Sequence, residues 1–296
     1  MKFTRNARKY KSIKLLLYPV IISYSTFAFA NISFCENQQS NKNSNSPPVA
    51  VKSDNKNDDI KYEINLLSKL PYWDSRVKKF INNNRAALLK KLGYYSAYYN
   101  DKNLNLRSAI IHFQGDNNIN TDGKWDDRSV NAMLKKVIAP KQKASDKVAD
   151  VPSEGMWITV NKSKKILTVY NGSIPSKKYP VAVGNPPDLT PSGKFTIVNK
   201  VVNPTWGGGG YAKPVPGGSP YNPLGYRWMG LSPKGGSSYG IHGTSAPYSL
   251  GSFASHGCIR MYNFDVEALF PKVPVNTYVY VGTDKELEAW GIIQEQ

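Results

Sequence analysis

The sequence predicts a multidomain protein, a small helical unit followed by a β-rich unit, on three observations. Apolar residues recur at helical spacing between residues 62 and 140 and at alternating, strand-like spacing over 154–283. A polar stretch at 141–153 separates the two patterns. The chain of 296 residues suits about two domains, and a 40% hydrophobic share with 20% charged residues excludes a disordered polymer and a multi-span membrane protein.

Taken in order, residues 1–30 carry Lys2, Arg5, Arg8, Lys9, Lys11 and Lys14 ahead of a largely apolar run that ends Ala28-Phe29-Ala30. A basic start, an apolar stretch and an A-x-A end are the three parts of a secretory signal peptide. Cleavage after Ala30 is expected, the other reading being an N-terminal anchor left uncut. Phe34 argues against a lipid on Cys35, since lipid attachment wants a small residue there. Net charge is +18, and loss of those six basic residues leaves about +12. Outside the membrane nucleic acid is not the expected partner, whereas anionic wall polymers or phospholipid headgroups would attract such a charge; a solvated Lys-rich surface that serves solubility is the other reading.

Residues 31–60 are rich in Asn, Ser, Lys, Gln and Asp and read as a disordered tether. Helical spacing begins with Leu66, Leu67 and Leu70, continues through Val77, Phe80 and Ile81, and reaches Leu88, Leu89 and Leu92 before a stop at Gly93. Leu106, Ile110 and Phe113 define another helix, and Val130, Met133, Leu134, Val137 and Ile138 the next, with a turn-rich loop at 115–123 between them. His112 reads as a helix-surface residue, because no second metal ligand lies at i+4.

Beyond the linker, Met156 to Val160, Lys165 to Tyr170 and Tyr179 to Val183 are strand-like, with Asn171-Gly172 as a hairpin turn between the last two. Phe195 to Val198 and Val275 to Val281 add strands, and Asn263 to Phe270 a helix capped by Asn263. Residues 203–240 are crowded with Gly, Pro and aromatics, and a loop that long is usually a lid or substrate wall. Tyr226 and Trp228 within it are candidate substrate contacts. Residues 284–296 read as a C-terminal tail.

Reactive groups concentrate in Ile241-His242-Gly243-Thr244 and Ser255-His256-Gly257-Cys258-Ile259-Arg260-Met261. A cysteine between His256 and Arg260, after a glycine, has surroundings that lower a thiol pKa and expose it for attack. An imidazole can take its proton, while Gly257 lets backbone amides approach an oxyanion. A buried structural thiol, histidines in the core or on the surface, and a zinc site are the competing readings, the last lacking a fourth ligand. With two cysteines there is no disulfide scaffold, and both thiols are expected free.

Two resemblances follow. Leu88 to Tyr95, the Phe113-Gln114 pair and Asp122-Gly123 resemble the three-helix peptidoglycan-binding module, implying a small α-helical bundle over 62–140. Thr190-Pro-Ser-Gly-Lys-Phe195, His242-Gly243-Thr244 and Ser255 to Met261, in that order, are similar to the catalytic domain of the L,D-transpeptidases of bacterial cell walls. The resemblance implies a mainly-β sandwich, Cys258 as nucleophile and His242 as general base, although adjacency alone favours His256. It further implies that His256, Ser255, Gly243 and Thr244 shape the site, that Gly257 and Cys258 supply oxyanion amides, and that Arg260 holds a substrate carboxylate or orders the loop. The activity implied is cross-linking of peptidoglycan stem peptides, with no metal or cofactor, by a secreted monomer in the wall or periplasm that meets stem peptides and glycan. An L,D-carboxypeptidase and a non-catalytic wall-binding protein are the alternatives.

Overall fold

The structure, a computed structural model, describes residues 56–67, 69, 74–138 and 146–296. The signal segment, most of the tether with Cys35, Leu70, residues 139–140 at the end of the helical stretch and residues 141–145 of the linker lie outside these. Among the described residues five helices come first: α1 (Lys56–Leu67), α2 (Ser75–Asn83), α3 (Arg85–Lys91), α4 (Lys102–Asp116) and α5 (Asp127–Ile138). Helix α1 begins inside the segment expected to be tether.

Helix starts follow their caps. Asp74 accepts from the Arg76 N–H at the head of α2, and Asp101 accepts from the N–H groups of Asn103 and Leu104 at the head of α4. Val77, Ile81, Leu88, Leu89, Ile110, Phe113, Val130 and Met133 form one apolar core. Helix α4 is apolar on a second face, where Leu104 and Ile111 pack with Ala182, Leu250 and Tyr262 of the β-rich part. A helix buried on both sides becomes a shared wall. Gln114 stitches the following loop by donating to Lys124 O (2.8 Å) and accepting from the Gly123 N–H (2.9 Å). Gly123 has φ +76°, and a Cβ there would lie 1.7 Å from the Arg107 guanidinium.

The β-rich part contains β1 (Asp146–Val148), β2 (Met156–Asn161), β3 (Ile166–Asn171), β4 (Ile174–Pro180), β5 (Val183–Gly184), β6 (Gly193–Val202), β7 (Arg227–Leu231), β8 (Gly240–His242), β9 (Phe253–Ser255) and β10 (Ile259–Arg260). They are followed by α6 (Asn263–Leu269), β11 (Tyr278–Gly282), α7 (Asp284–Ala289) and β12 (Ile292–Gln294). The hairpin expected at Asn171-Gly172 joins β3 to β4, although β4 begins earlier than the Tyr179 start the spacing suggests.

The expected sandwich is one curled sheet instead. Eight strands run β10-β8-β7-β6-β11-β2-β3-β4. The ten-residue β6 pairs with β11 through Gly193 to Thr196 and with β7 through Ile197 to Val202, with an irregularity between Ile197 and Asn199. A bulge bends and twists a strand, so one strand serves both halves and the sheet is never cut in two. The far edges nearly meet, since Ala182 and Arg260 exchange both backbone hydrogen bonds at 3.0 and 2.9 Å. Inside the curl, Ile158, Val160, Leu167 and Val169 meet Met229, Leu231, Ile241, Ile259 and Met261.

Two expected connectors are structural. Strand β1, from the linker, pairs antiparallel with β12, from the tail, and α7, which lies between β11 and β12 in the chain, opens with a Thr283–Glu286 capping box. Three-residue strands are too short to show alternation. The helical and β-rich parts fall in one compact unit, Ser53–Gln296. Arg107 donates to Leu250 O (2.7 Å), Tyr248 Oη to Asp101 (2.7 Å) and the Thr121 N–H to Lys164 O (3.0 Å) across the seam. His112, expected on a helix surface, is 13% exposed in this seam and contacts Asp265, because the second face of α4 is covered.

Asp146 anchors the β1 junction. Its side chain is fully buried, 2.6 Å from Lys178 Nζ and 2.6 Å from Tyr170 Oη. Burial pulls the Lys178 amine down and the Asp146 charge opposes it. Asp146→Ala, which leaves that ammonium without its partner, is expected to destabilise the fold by about 3–5 kcal/mol in denaturant unfolding.

Candidate active site

Strand β9 ends at Ser255 and the chain turns through His256 and Gly257 to reach Cys258. Gly257 has φ +126°, and a Cβ there would lie 2.6 Å from Leu189 O and 2.8 Å from the Tyr239 ring. The turn therefore accepts glycine alone without a shift of its neighbours. Ser255 Oγ donates to Cys258 O (2.6 Å) and accepts from the Gly257 N–H (3.1 Å). Thr190 Oγ1 donates to Gly257 O (2.9 Å) and accepts from the Gly184 N–H (2.7 Å). The Thr190 motif thus braces the cysteine turn from beneath.

Cys258 is a half-buried free thiol on the wall of a cleft of about 770 Å³. Its Sγ lies 3.6 Å from Ser238 O. Burial pushes the thiol pKa up, while the Gly240 N–H and the Arg260 charge pull it back. Strands β8 and β10 run parallel with His242 opposite Arg260, which brings imidazole, guanidinium and thiol to one cleft.

His242 is 3% exposed. Its Nδ1 is 2.6 Å from Gly243 O, a contact that suits the Nδ1–H tautomer and leaves Nε2 as an acceptor. The ring stacks on Trp228 (5.6 Å, 20°), whose indole N–H is shared between Asn199 Oδ1 (3.1 Å) and Gly236 O (3.2 Å). Burial pulls His242 down to about 4, so the imidazole is neutral at neutral pH. Behind it, Asn263 Oδ1 accepts from the Thr244 N–H (2.9 Å) and Nδ2 donates to Thr244 O (3.0 Å). Asn263 is therefore a clamp on the His242 loop, not the expected cap, and the α6 N-cap position is Tyr262. Gly243 is needed at this close approach, since a Cβ would lie 2.1 Å from Asn263 Oδ1.

Of the residues singled out in the sequence, Cys258, His242, Ser255, His256, Arg260 and Trp228 line the cleft. Gly257, Gly243 and Thr244 stand behind it, and the Gly257 N–H is already spent on Ser255, which removes it as an oxyanion donor in this geometry. His256 is exposed and packs against Tyr211 (5.5 Å). Tyr226 is not on the cleft wall; it precedes β7 and lies within electrostatic reach of Tyr98 in the helical part. Residues 203–226 supply the opposite wall through Trp206 and Tyr211, tied by backbone pairing of Trp206 with Val215. Their wall positions had no signal beyond the Gly-rich, aromatic composition. Arg260 is the one Lys or Arg among the lining residues, no Asp or Glu lines the cleft, and its guanidinium has no hydrogen-bond or ion-pair partner among the described residues.

A thiol and a neutral imidazole in a cleft with an unpaired cation define a site suited to cysteine acyl transfer on an anionic substrate. The sequence pattern of the L,D-transpeptidase catalytic domain, YkuD, matches residues 155–281. YqjB of Bacillus subtilis, named for the L,D-transpeptidases, is 44% identical over 130 residues, covering 43% of this chain and 72% of YqjB. YkuD of the same organism, so named too, is 40% identical over 124 residues, which are 42% of this chain and 64% of that protein. A solved L,D-transpeptidase structure from Xylanimonas cellulosilytica is 18% identical, over 66% of this chain and 90% of that one, with a TM-score of 0.46. The chain belongs to the L,D-transpeptidase family.

The depressed His242 has a consequence in pH. The unfolded chain binds this proton near pH 6.5 and the folded chain only near 4, so the stability it contributes is full above 6.5 and is lost as pH falls toward 4. The expected loss is about 3 kcal/mol over that window. His242→Gln should flatten that part of the denaturation profile, and ring resonances of His242 should not titrate between pH 8 and about pH 5.5.

Proposed function

We propose that the chain is an L,D-transpeptidase that acts on peptidoglycan tetrapeptide stems through a Cys258 thioester and cross-links stem peptides during wall biogenesis. The observation that carries the reading is the Cys258 thiol and the neutral His242, whose Nδ1 contact to Gly243 O leaves Nε2 as an acceptor, in one cleft beside the unpaired Arg260. His242 Nε2 takes the thiol proton as Sγ attacks the carbonyl preceding the terminal D-alanine. With the Gly257 N–H donating to Ser255, the Cys258 N–H remains as a candidate oxyanion donor. Collapse breaks the C–N bond, and His242 returns the proton to the departing D-alanine amine. The side-chain amine of a second stem then attacks the thioester, passing its proton through His242 to Sγ as the new amide forms.

Arg260 offers a planar, bidentate cation for a stem carboxylate. The helical part, with its resemblance to peptidoglycan-binding modules, would add glycan contacts and raise the effective concentration of substrate. The basic, signal-like N terminus supports a site of action outside the cytoplasmic membrane.

Mass spectrometry of the chain from residue 31 onward with a tetrapeptide muropeptide tests the reading. Loss of D-alanine with a cross-linked dimer is expected for the intact protein and not for Cys258→Ala. D-alanine loss without a dimer would indicate a carboxypeptidase, and no Cys258-dependent change would indicate a binding role. Arg260→Lys keeps the charge without the fork and is expected to raise KM about tenfold at little cost in kcat.

A further inference from the structure

Beyond Cys258, successive side chains face three environments. Ile259 and Met261 enter the core of the curled sheet, Arg260 reaches the cleft, and Tyr262, Phe264 and Asp265 face the helical part. Into this last layer α4 projects His112. Its ring stacks on Tyr262 (5.6 Å, 16°) and lies 5.9 Å from Phe264. Nδ1 is 2.7 Å from Ser108 O, and Nε2 is 2.8 Å from Asp265 Oδ2. A carbonyl and a carboxylate both accept, so both ring nitrogens donate and the pair is an imidazolium with a carboxylate.

The side chains of His112 and Asp265 are 13% and 9% exposed. Burial opposes the charge on His112, but Asp265 overcomes it and raises the pKa. Lys177 on β4 acts against that charge, and Asp116 on α4 and Tyr94 border the same 180 Å³ cavity beside the pair. Asp265 stands in the first turn of α6. Two residues earlier is Asn263, whose side chain grips Thr244 in both directions, and Thr244 follows His242-Gly243.

Resting on the reading of Cys258 and His242 as the reacting pair, we propose that His112 of the helical part is a positioning residue for that pair. Its bond to Asp265 fixes the first turn of α6, and through Asn263 fixes the backbone that carries His242. The helical part is thus a working piece of the transferase site and not only a wall-binding appendage.

Two variants isolate the bond. His112→Gln can place its amide N–H where Nε2 stands and keep the contact to Asp265, whereas His112→Asn reaches only the Nδ1 position. Both lose the ring stacking. Positioning predicts that His112→Asn has a kcat about tenfold below that of His112→Gln with KM within about twofold, and that iodoacetamide alkylation of Cys258 slows in the same order. Equal kcat and equal alkylation in the two folded variants would overturn it. If His112→Asn does not fold, Asp265→Ala, which removes the acceptor, decides: reduced kcat and slower alkylation support the proposal, and wild-type values overturn it. Alkylation needs no donor peptide, so a wild-type chain that fails to turn over tetrapeptide would count against the functional reading, while the alkylation order would still decide the role of His112.

Discussion

The site depends on how one short run of chain, Ser255 to Asp265, is held. Ser255 ties both ends of the cysteine turn to one hydroxyl, and Thr190 ties its middle to the neighbouring strand. Each buried hydrogen bond of this kind contributes about 1 kcal/mol, and stranding one partner costs about 1–3 kcal/mol. The larger effect is geometric. With Gly257 in a backbone conformation that other residues rarely adopt, the turn has one shape, and Cys258 has one place on the cleft wall. The pairing of Arg260 with Ala182 then closes the sheet at the same point.

Electrostatics set the resting state of the reacting groups. Burial raises the thiol and lowers His242, so the two shifts both favour the neutral pair over thiolate and imidazolium. Arg260 pulls the thiol down, and its charge also disfavours a proton on His242. Both shifts keep the proton on sulfur, the less reactive form of the thiol. A substrate carboxylate on Arg260 would mask the positive charge and ease protonation of His242 at the moment it is needed.

Much of this was legible in local pattern. Short runs of strand-forming residues mark β2 and β3, Asn171-Gly172 marks the turn from β3 into β4, and the helical spacing from Val77 to Ile138 marks the core that Phe113 and Met133 share. The Cys258 cluster was legible because its residues are close in sequence. Strands β7 and β8 were hidden in a Gly- and Pro-rich stretch, and β1 and β12 are three residues each, too short to carry a period. Tyr226 and Trp228, two apart, would share a face within a strand, but β7 begins only at Arg227. The contact between His112 and Asp265 spans 153 residues, and the Asn263 clamp depends on a loop nineteen residues away. No local signal encodes either. The single curled sheet likewise follows from one bulge in β6 whose effect is visible only once both neighbours are paired.

Acyl transfer in this cleft requires a covalent bond at one sulfur, that of Cys258. Incubating the chain with a tetrapeptide donor and no acceptor amine, quenching in acid and mapping the digest by mass spectrometry reads it directly. The expected result is an acyl adduct equal to the donor less D-alanine on the peptide that carries Cys258, absent after His242→Ala. An adduct on another residue, or turnover of the donor with Cys258 never modified, would contradict it.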